Sequence, residues 1–512
     1  MNDALSPSPI QLRPHPLSIL SYLAKYLFLL LIPLLRGFLS ALQGGFYHWL
    51  SSAWIDLLLV LGYLGFGVLF WLCYTLSPAP EGLFIRRGVF VREEFLLPRS
   101  RFSCVTTVEP FYLRPFGGVY LRVDTSGGGL RQADLSVFLR KRDLPLLLRA
   151  SAPEQPPYLV RGYRPKSTYV FLLAALTSNS FAGVLLLSTL VSQIGEVLGR
   201  RFSEMLYGTF EEVARALAFG LPPAAAAIAY LLLFGYLLAF VSNLLRHGNF
   251  SVARRGDLLE IRSGLLTGRT YLLRRRQIGC VDIRRTLFTS ILGLSSVFLQ
   301  TVGYGKYEDD ISALIPCTTR LHLESSLRLL LPEYHSSPRT VRPNWRSWGH
   351  YLYQGGLACG GVLLGGALCL WLFPTWEALT LWVGLLCVIP PLWFTIVQLV
   401  DFFTAGLSFS QGCFTLRCAH RFYLHQVILP RERVASVRAV ASVLQHRRGR
   451  CDLIVSIYSE GHRRYRVRDL DWTEVEQLLQ KAGMEGMATP AKPKTTRYRP
   501  KLPALLQKLY KR

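Results

Sequence analysis

Charge is scarce in this chain. Only 18% of its 512 residues are Asp, Glu, Lys or Arg, against about 25% in an ordinary soluble domain, and with 51% hydrophobic residues that shortage excludes a purely water-soluble globule. Acidic residues are scarcer still, 32 against 58 Lys and Arg, leaving a formal charge of +26. The ten cysteines include no Cys-x-x-Cys pair, and Cys413 and Cys418 have no matching second pair, so neither a zinc site nor a disulfide framework is readable. A Walker A loop, a Gly-x-Ser-x-Gly elbow and a His-Glu-x-x-His helix are all missing, and the chemistries they carry go with them.

What the chain does have is long apolar runs. Six stretches reach the roughly 20 residues that a helix needs to cross a bilayer, and they fall in three pairs: about 19–42 and 54–76, 168–194 and 221–245, 351–373 and 379–403. No small-residue cleavage site follows the first, so it reads as a retained span rather than a signal peptide. Charge sets the orientation. Residues 77–167 carry 15 Lys and Arg against 8 acids, 246–346 carry 16 against 8, and 404–512 carry 21 against 8, whereas the hairpin 43–53 has no Lys or Arg and 374–378 has only Glu377. By the positive-inside rule the N-terminus, the three polar segments and the C-terminus are expected on the cytoplasmic side. Lys25, Arg36, Asp56 and Asp401 fall in or near the spans and read as structural, since they lie near span ends or can snorkel. The pairs Gly355-Gly356, Gly360-Gly361 and Gly365-Gly366 have the small-residue spacing of a helix-packing face.

The polar segments repeat. A shift of 176 residues places Ile85-Arg86 on Ile261-Arg262, Gly88 on Gly264, Leu96-Leu97 on Leu272-Leu273, Cys104-Val105 on Cys280-Val281 and Gly117 on Gly293 without a gap. A further shift places Leu429-Pro430-Arg431 on Leu97-Pro98-Arg99, Val437 on Val105 and Gly449 on Gly117. Each segment reads as short strands, among them 84–91, 95–97, 104–109 and 119–123, closed by a helix. That helix is expected at about 141–150, 321–331 and, capped by Asp471, from there through Leu479 to Gly483.

The chain resembles the bacterial membrane-flanked PH-like domain family, the YdbS/YdbT-like proteins. Arg13-Pro14-His15-Pro16, Leu97-Pro98-Arg99-Ser100-Arg101, Tyr163-Arg164-Pro165 and Leu429-Pro430-Arg431-Glu432-Arg433 carry the resemblance. The second segment departs from the pattern by having Arg274 where Pro98 stands. The resemblance implies a seven-strand barrel plus C-terminal helix, no established catalytic residues and, loosely, a role in envelope maintenance or stress defence. The expected architecture is a multi-pass α-helical membrane protein, six transmembrane helices in three pairs, with three cytoplasmic α+β PH-like barrels. Its divisions are helix pairs at 1–76, 168–245 and 347–403, PH-like domains at 77–167, 246–346 and 404–485, and a polybasic tail at 486–512.

No residue set demands catalysis, a cofactor or a metal. His420 and His425, five apart in one strand region, are expected on opposite faces. Glu308-Asp309-Asp310 reads as a solvated turn and Gly127 to Gly129 as a hairpin turn. The candidates for binding lipid or a partner are basic: Arg274, Arg275 and Arg276, Arg463 and Arg464, and Lys508, Lys511 and Arg512 in an acid-free stretch of the tail. Beside a membrane, anionic headgroups are the nearer polyanion and nucleic acid is not expected. Two functions follow. A non-enzymatic membrane scaffold that binds headgroups or a membrane protein partner fits the repeat and the charge, and a transporter or channel built from the helix pairs is the alternative.

Overall fold

Glycine fixes the first turn of the repeated unit. Gly88 and Gly264 have φ of +105° and +98°, and a Cβ there would lie 1.9 Å from the carbonyl oxygen of Val91 or 2.0 Å from that of Thr267, so no other residue fits the turn. The computed structural model describes residues 11–19, 58, 60–79, 81–127, 133–151, 161–178, 223–301, 313–457 and 463–484. They form two units, Met1–Ile278 with Leu294–Leu330, and Gly279–Gly293 with Leu331–Arg512.

In the first unit, α1 (Val60–Leu72) leads into an antiparallel meander of β1 (Thr75–Ala79), β2 (Gly82–Arg87) and β3 (Glu93–Pro98). A second meander, β4 (Phe102–Glu109), β5 (Gly118–Thr125) and β6 (Leu135–Arg140), is closed by α2 (Leu144–Ser151). Alternation decides what each strand buries: Leu83 and Ile85 from β2, Leu121 and Val123 from β5, and Val137 and Leu139 from β6 meet Leu147 of the helix in one core. Next come β7 (Arg161–Tyr163), α3 (Ser167–Thr177) and α4 (Pro223–His247), then β8 (Ser251–Arg255), β9 (Leu258–Ser263) and β10 (Gly268–Arg274). β8 and β9 begin 176 residues after β1 and β2.

The sequence predicts self-contained barrels, but the strands are shared between domains. β10 of the second domain pairs with β4 of the first, giving one seven-stranded sheet in the order β6-β5-β4-β10-β9-β8-β7. β11 (Ile278–Arg285) then belongs to the second unit, while β12 (Leu294–Thr301), β13 (Ala313–Thr319) and the amphipathic helix after it, Arg320–Leu330, return to the first.

The second unit contains, after β11, the one-turn helix α5 (Leu287–Ile291). With the helix Arg320–Leu330 counted as α6, the long helices α7 (Trp348–Leu372) and α8 (Glu377–Thr404) follow. The third domain is β14 (Gly406–Ser410), β15 (Cys413–His420), β16 (Tyr423–Pro430), β17 (Val434–Val440), α9 (Val443–Arg447), β18 (Arg450–Ile457), β19 (Arg464–Asp471) and α10 (Trp472–Lys481). β16 pairs with β11, repeating the exchange seen in the first unit. Asp471 caps α10 as predicted, accepting from the backbone N–H of Thr473 at 3.0 Å, and Val475, Leu478 and Leu479 seal the core against Leu453 and Val467.

A short segment ahead of the helix pair supplies a further strand position in each domain. Leu12 bridges to Leu76, β7 pairs with β8, and Val341 bridges to Leu407. The Arg-Pro step follows at once in all three, at Arg13-Pro14, Arg164-Pro165 and Arg342-Pro343. In the first, His15 is buried with Nε2 3.1 Å from the carbonyl of Phe116.

Three described helices are long and apolar enough to cross a membrane, Tyr230–His247, Trp345–Leu372 and Val383–Thr404, and Val60–Leu72 is a shorter apolar helix. The described residues therefore do not support six spans in three pairs. The first predicted span lies outside them beyond Ile19, and the third is described only over Ser167–Thr177.

Candidate membrane-facing surface

In the second unit the long helices change character along their length. On α8, Leu381, Val383, Leu385, Leu386 and Ile389 are exposed, whereas Val397, Gln398, Asp401 and Phe402 are buried. Burial begins at Val397, six residues after Pro391, and Leu399 and Phe403 remain exposed beyond it. On α7 the order is reversed: Tyr351 is buried, and Leu357, Leu363, Leu364, Leu368 and Trp371 are exposed. The exposed parts amount to roughly 24 Å of helix at 1.5 Å per residue. Of the glycine pairs, Gly355 alone touches the neighbouring helix, its absent Cβ falling 2.4 Å from Thr395 Oγ1, while Gly356, Gly360, Gly361, Gly365 and Gly366 face open space. Gly365 and Gly366 line an apolar cleft of about 680 Å³ between the two helices.

The buried halves are locked to the third domain by polar contacts. The Tyr351 hydroxyl donates to the Arg468 carbonyl at 2.8 Å, and Arg468 Nη1 donates to Gln398 Oε1 at 2.9 Å. Arg450 donates to Ser347 Oγ at 2.7 Å and to Asp469 at 2.9 Å, and Gln445 donates to both Asp452 and Asp469. Burial pushes the Asp452 carboxyl up, but His350, the Asp469 backbone N–H and Arg466 together hold it well below the ordinary carboxylate range. These contacts join the helix ends and the domain in one polar network.

At the end of the lipid-length stretch sits a cluster of aromatic rings. Phe288 of α5 stacks on Trp393 with centroids 4.8 Å apart, and Phe422, in the turn after β15, stands 6.2 Å from Phe394. Phe288 occupies a position that recurs. Tyr112, Phe288 and Leu444 share one place in the repeat and are 57%, 58% and 69% exposed. Each sits in a rigid tip: capping boxes at Thr286/Thr289 and Ser442/Gln445 start the helical turns in the second and third domains, and Gly117, Gly293 and Gly449, all at positive φ, end the tips. Phe111, Phe116, Ile291, Leu292 and Val443 widen these exposed apolar faces, and Arg447 and Arg448 are exposed beside Leu444. The sequence reading missed the tips. Their one signal was an apolar residue recurring just ahead of the repeated glycine.

The basic residues singled out from sequence are dispersed. Arg274 donates to the Ser100 carbonyl at 3.0 Å, and Arg275 pairs with Asp257 at 2.9 Å. Arg276 reaches out from the same turn, 81% exposed and 3.8 Å from Asp257. Arg463 and Arg464 are exposed at the start of β19. Lys508, Lys511 and Arg512 lie outside the described residues, as do Glu308-Asp309-Asp310.

One buried polar cluster was also missed. Asp282 of β11 accepts from His425 at 2.9 Å, from Arg284 at 2.7 Å and from the Tyr465 hydroxyl at 3.3 Å. Burial opposes its ionisation, yet His425 and Arg284 hold its pKa below the ordinary value. His420 and His425 prove to lie on adjacent strands of a hairpin, with His420 opposite Tyr423 and Cys418 opposite His425. They therefore share a face, their rings 6.4 Å apart, which corrects the expected opposite orientation. No group able to hold a metal occurs among the described residues. Burial pushes the thiols of Cys317 and Cys451 up to about 11 and about 12, the latter helped by Asp452, which leaves them poor nucleophiles at neutral pH.

Paired meanders closed by a helix, next to helices of membrane length, make this a membrane protein with PH-like sheet domains. The Bacterial PH domain family model matches residues 22–152 and 212–327, so the resemblance read from the repeat holds. The chain is similar to the transmembrane protein YdbT of Bacillus subtilis (strain 168), 23% identical over 332 residues. That match covers 57% of this chain and 65% of the relative, less than two thirds of its length. No solved structure matches the chain.

Proposed function

We propose that this protein is a non-enzymatic integral membrane scaffold. Six helices in three pairs hold three PH-like domains against the inner leaflet, where the domains bind lipid headgroups or a protein partner. The observation that carries this reading is the recurring apolar tip. In the second unit Phe288 sits against Trp393, where α8 passes from exposed to buried, and the equivalent Tyr112 and Leu444 are equally open. Aromatic side chains at that level are the usual anchors of a membrane interface, and Arg447 and Arg448 beside Leu444 add attraction for anionic headgroups of about 1 kcal/mol each.

The coarse placement at a membrane rests on the three apolar helices and on a relative named as a transmembrane protein. The cytoplasmic side is inferred from the excess of Lys and Arg in the polar segments. The buried carboxylates Asp282, Asp452 and Asp469 are engaged by Arg284, Arg466 and Arg450, which supports a binding role over a catalytic one.

The test is depth-dependent quenching. The full chain carrying Leu444→Trp, reconstituted into vesicles that contain brominated lipids, should lose the added emission to bromine near the headgroups, and more strongly when the vesicles are anionic. Added emission that bromine does not quench in either vesicle would remove the tips from the membrane and the reading with them.

A further inference from the structure

The same two strands make each joint between domains. β10 lies against β4 with Val105 opposite Leu272, and β16 lies against β11 with Val281 opposite Ile428. Val105, Val281 and Val437 are one position of the repeat, and Leu96, Leu272 and Ile428 are another. The two joints therefore share one register.

Two strands of this kind are left without a counterpart. Among the described residues β3 pairs with β2 alone, and β17 pairs with β18 alone. β3 is the equivalent of β10 and β16, and β17 that of β4 and β11, so the open edges are the two halves of one more joint. Burial agrees. Val105 and Val281 are buried in their joints, whereas Val437 is half-buried and Arg438 and Val440 are exposed.

Charge gives the joint a polarity. In the second joint Asp282 on β11 reaches diagonally to His425 on β16. The same two places hold Arg438 on β17 and Glu93 on β3, a cation and an anion. Glu93 is exposed and, among the described residues, pairs with the exposed Arg87 of its own hairpin, at 2.7 Å. An unprotected edge is a template for another strand, and β17 has one charge and no proline to block it.

We propose that the open edge of β17 pairs with β3 of a second copy of this chain, antiparallel, with Val437 opposite Leu96 and Arg438 reaching Glu93. The contact is heterologous, so it joins molecules head to tail in a series or a closed ring. It continues between molecules the joint that links domains within one.

Two differently tagged full-length chains, co-reconstituted in nanodiscs and in detergent, test this by co-capture and light scattering. Association is expected for the wild type. Arg438→Glu or Glu93→Arg alone should weaken it at least about tenfold by setting like charges together, and a chain carrying both should recover it. A photo-crosslinker at Val437 should capture the β3 peptide of the other tagged chain. A single-chain mass at every concentration, an Arg438→Glu/Glu93→Arg chain no better than either single variant, or a crosslink to a different protein would each overturn the proposal.

Discussion

Asp282 holds its joint through ionisation, which makes the joint pH-dependent. Its pKa is depressed below the ordinary 3.8 by His425 and Arg284 against the opposing effect of burial. A depressed carboxyl contributes stability that is full above the unfolded value and is lost as pH falls through the folded one. Protection of the β11 and β16 amides, taken relative to the intrinsic exchange rate at each pH, should therefore hold from neutral pH down to about 4 and fall below it. Asp282→Asn should remove the negative charge that His425 and Arg284 face across the joint and cost about 3–5 kcal/mol, the usual penalty for breaking a buried pair. If exchange in those strands were unchanged by the substitution, Asp282 would not be what holds the joint.

Helix pairing at α7 and α8 turns on one close approach. A Cβ at Gly355 would fall 2.4 Å from Thr395 Oγ1 and 3.0 Å from the Thr395 Cα, so Gly355→Ala must part the helices and should cost about 1–3 kcal/mol. Gly360→Ala, with open space before it, should cost nothing measurable. Equal thermal unfolding of both variants in detergent would count against that approach. Such differences between glycines were not legible in the sequence, where all three pairs have the same spacing. What the repeat did reveal was local: Asp471 marked a cap, and the shift of 176 residues carried β1 and β2 onto β8 and β9, whereas the strand expected at 84–91 ran through Gly88, where the chain in fact leaves β2 and turns. Pairing between distant strands leaves no such local trace. The exchange of β10 to β4 and of β16 to β11 was therefore hidden, whereas His420 and His425 were misplaced for a local reason, since the turn at Arg421-Phe422 divides what reads as one strand. The tips escaped notice for a related reason, since exposure of Tyr112, Phe288 and Leu444 has no period.

At the scale of the molecule, the proposed orientation rests on charge and on the way the pair α7 and α8 is rooted. Val341 ahead of α7 and Leu407 after α8 are bridged partners, so both ends of that pair must lie on one side of the bilayer. A reporter active only outside the cell should work when fused at Gly45 and stay silent at Gly128, and the reverse pattern would invert the proposed topology. The same bridge also imposes an order on biogenesis. The strand position at Val341 is made first, yet its partner Leu407 reaches the ribosome exit only after both helices have been synthesised, so the third domain cannot be completed before its helix hairpin has been made. A hairpin that fails to bring Leu407 back beside Val341 leaves that strand position unpaired.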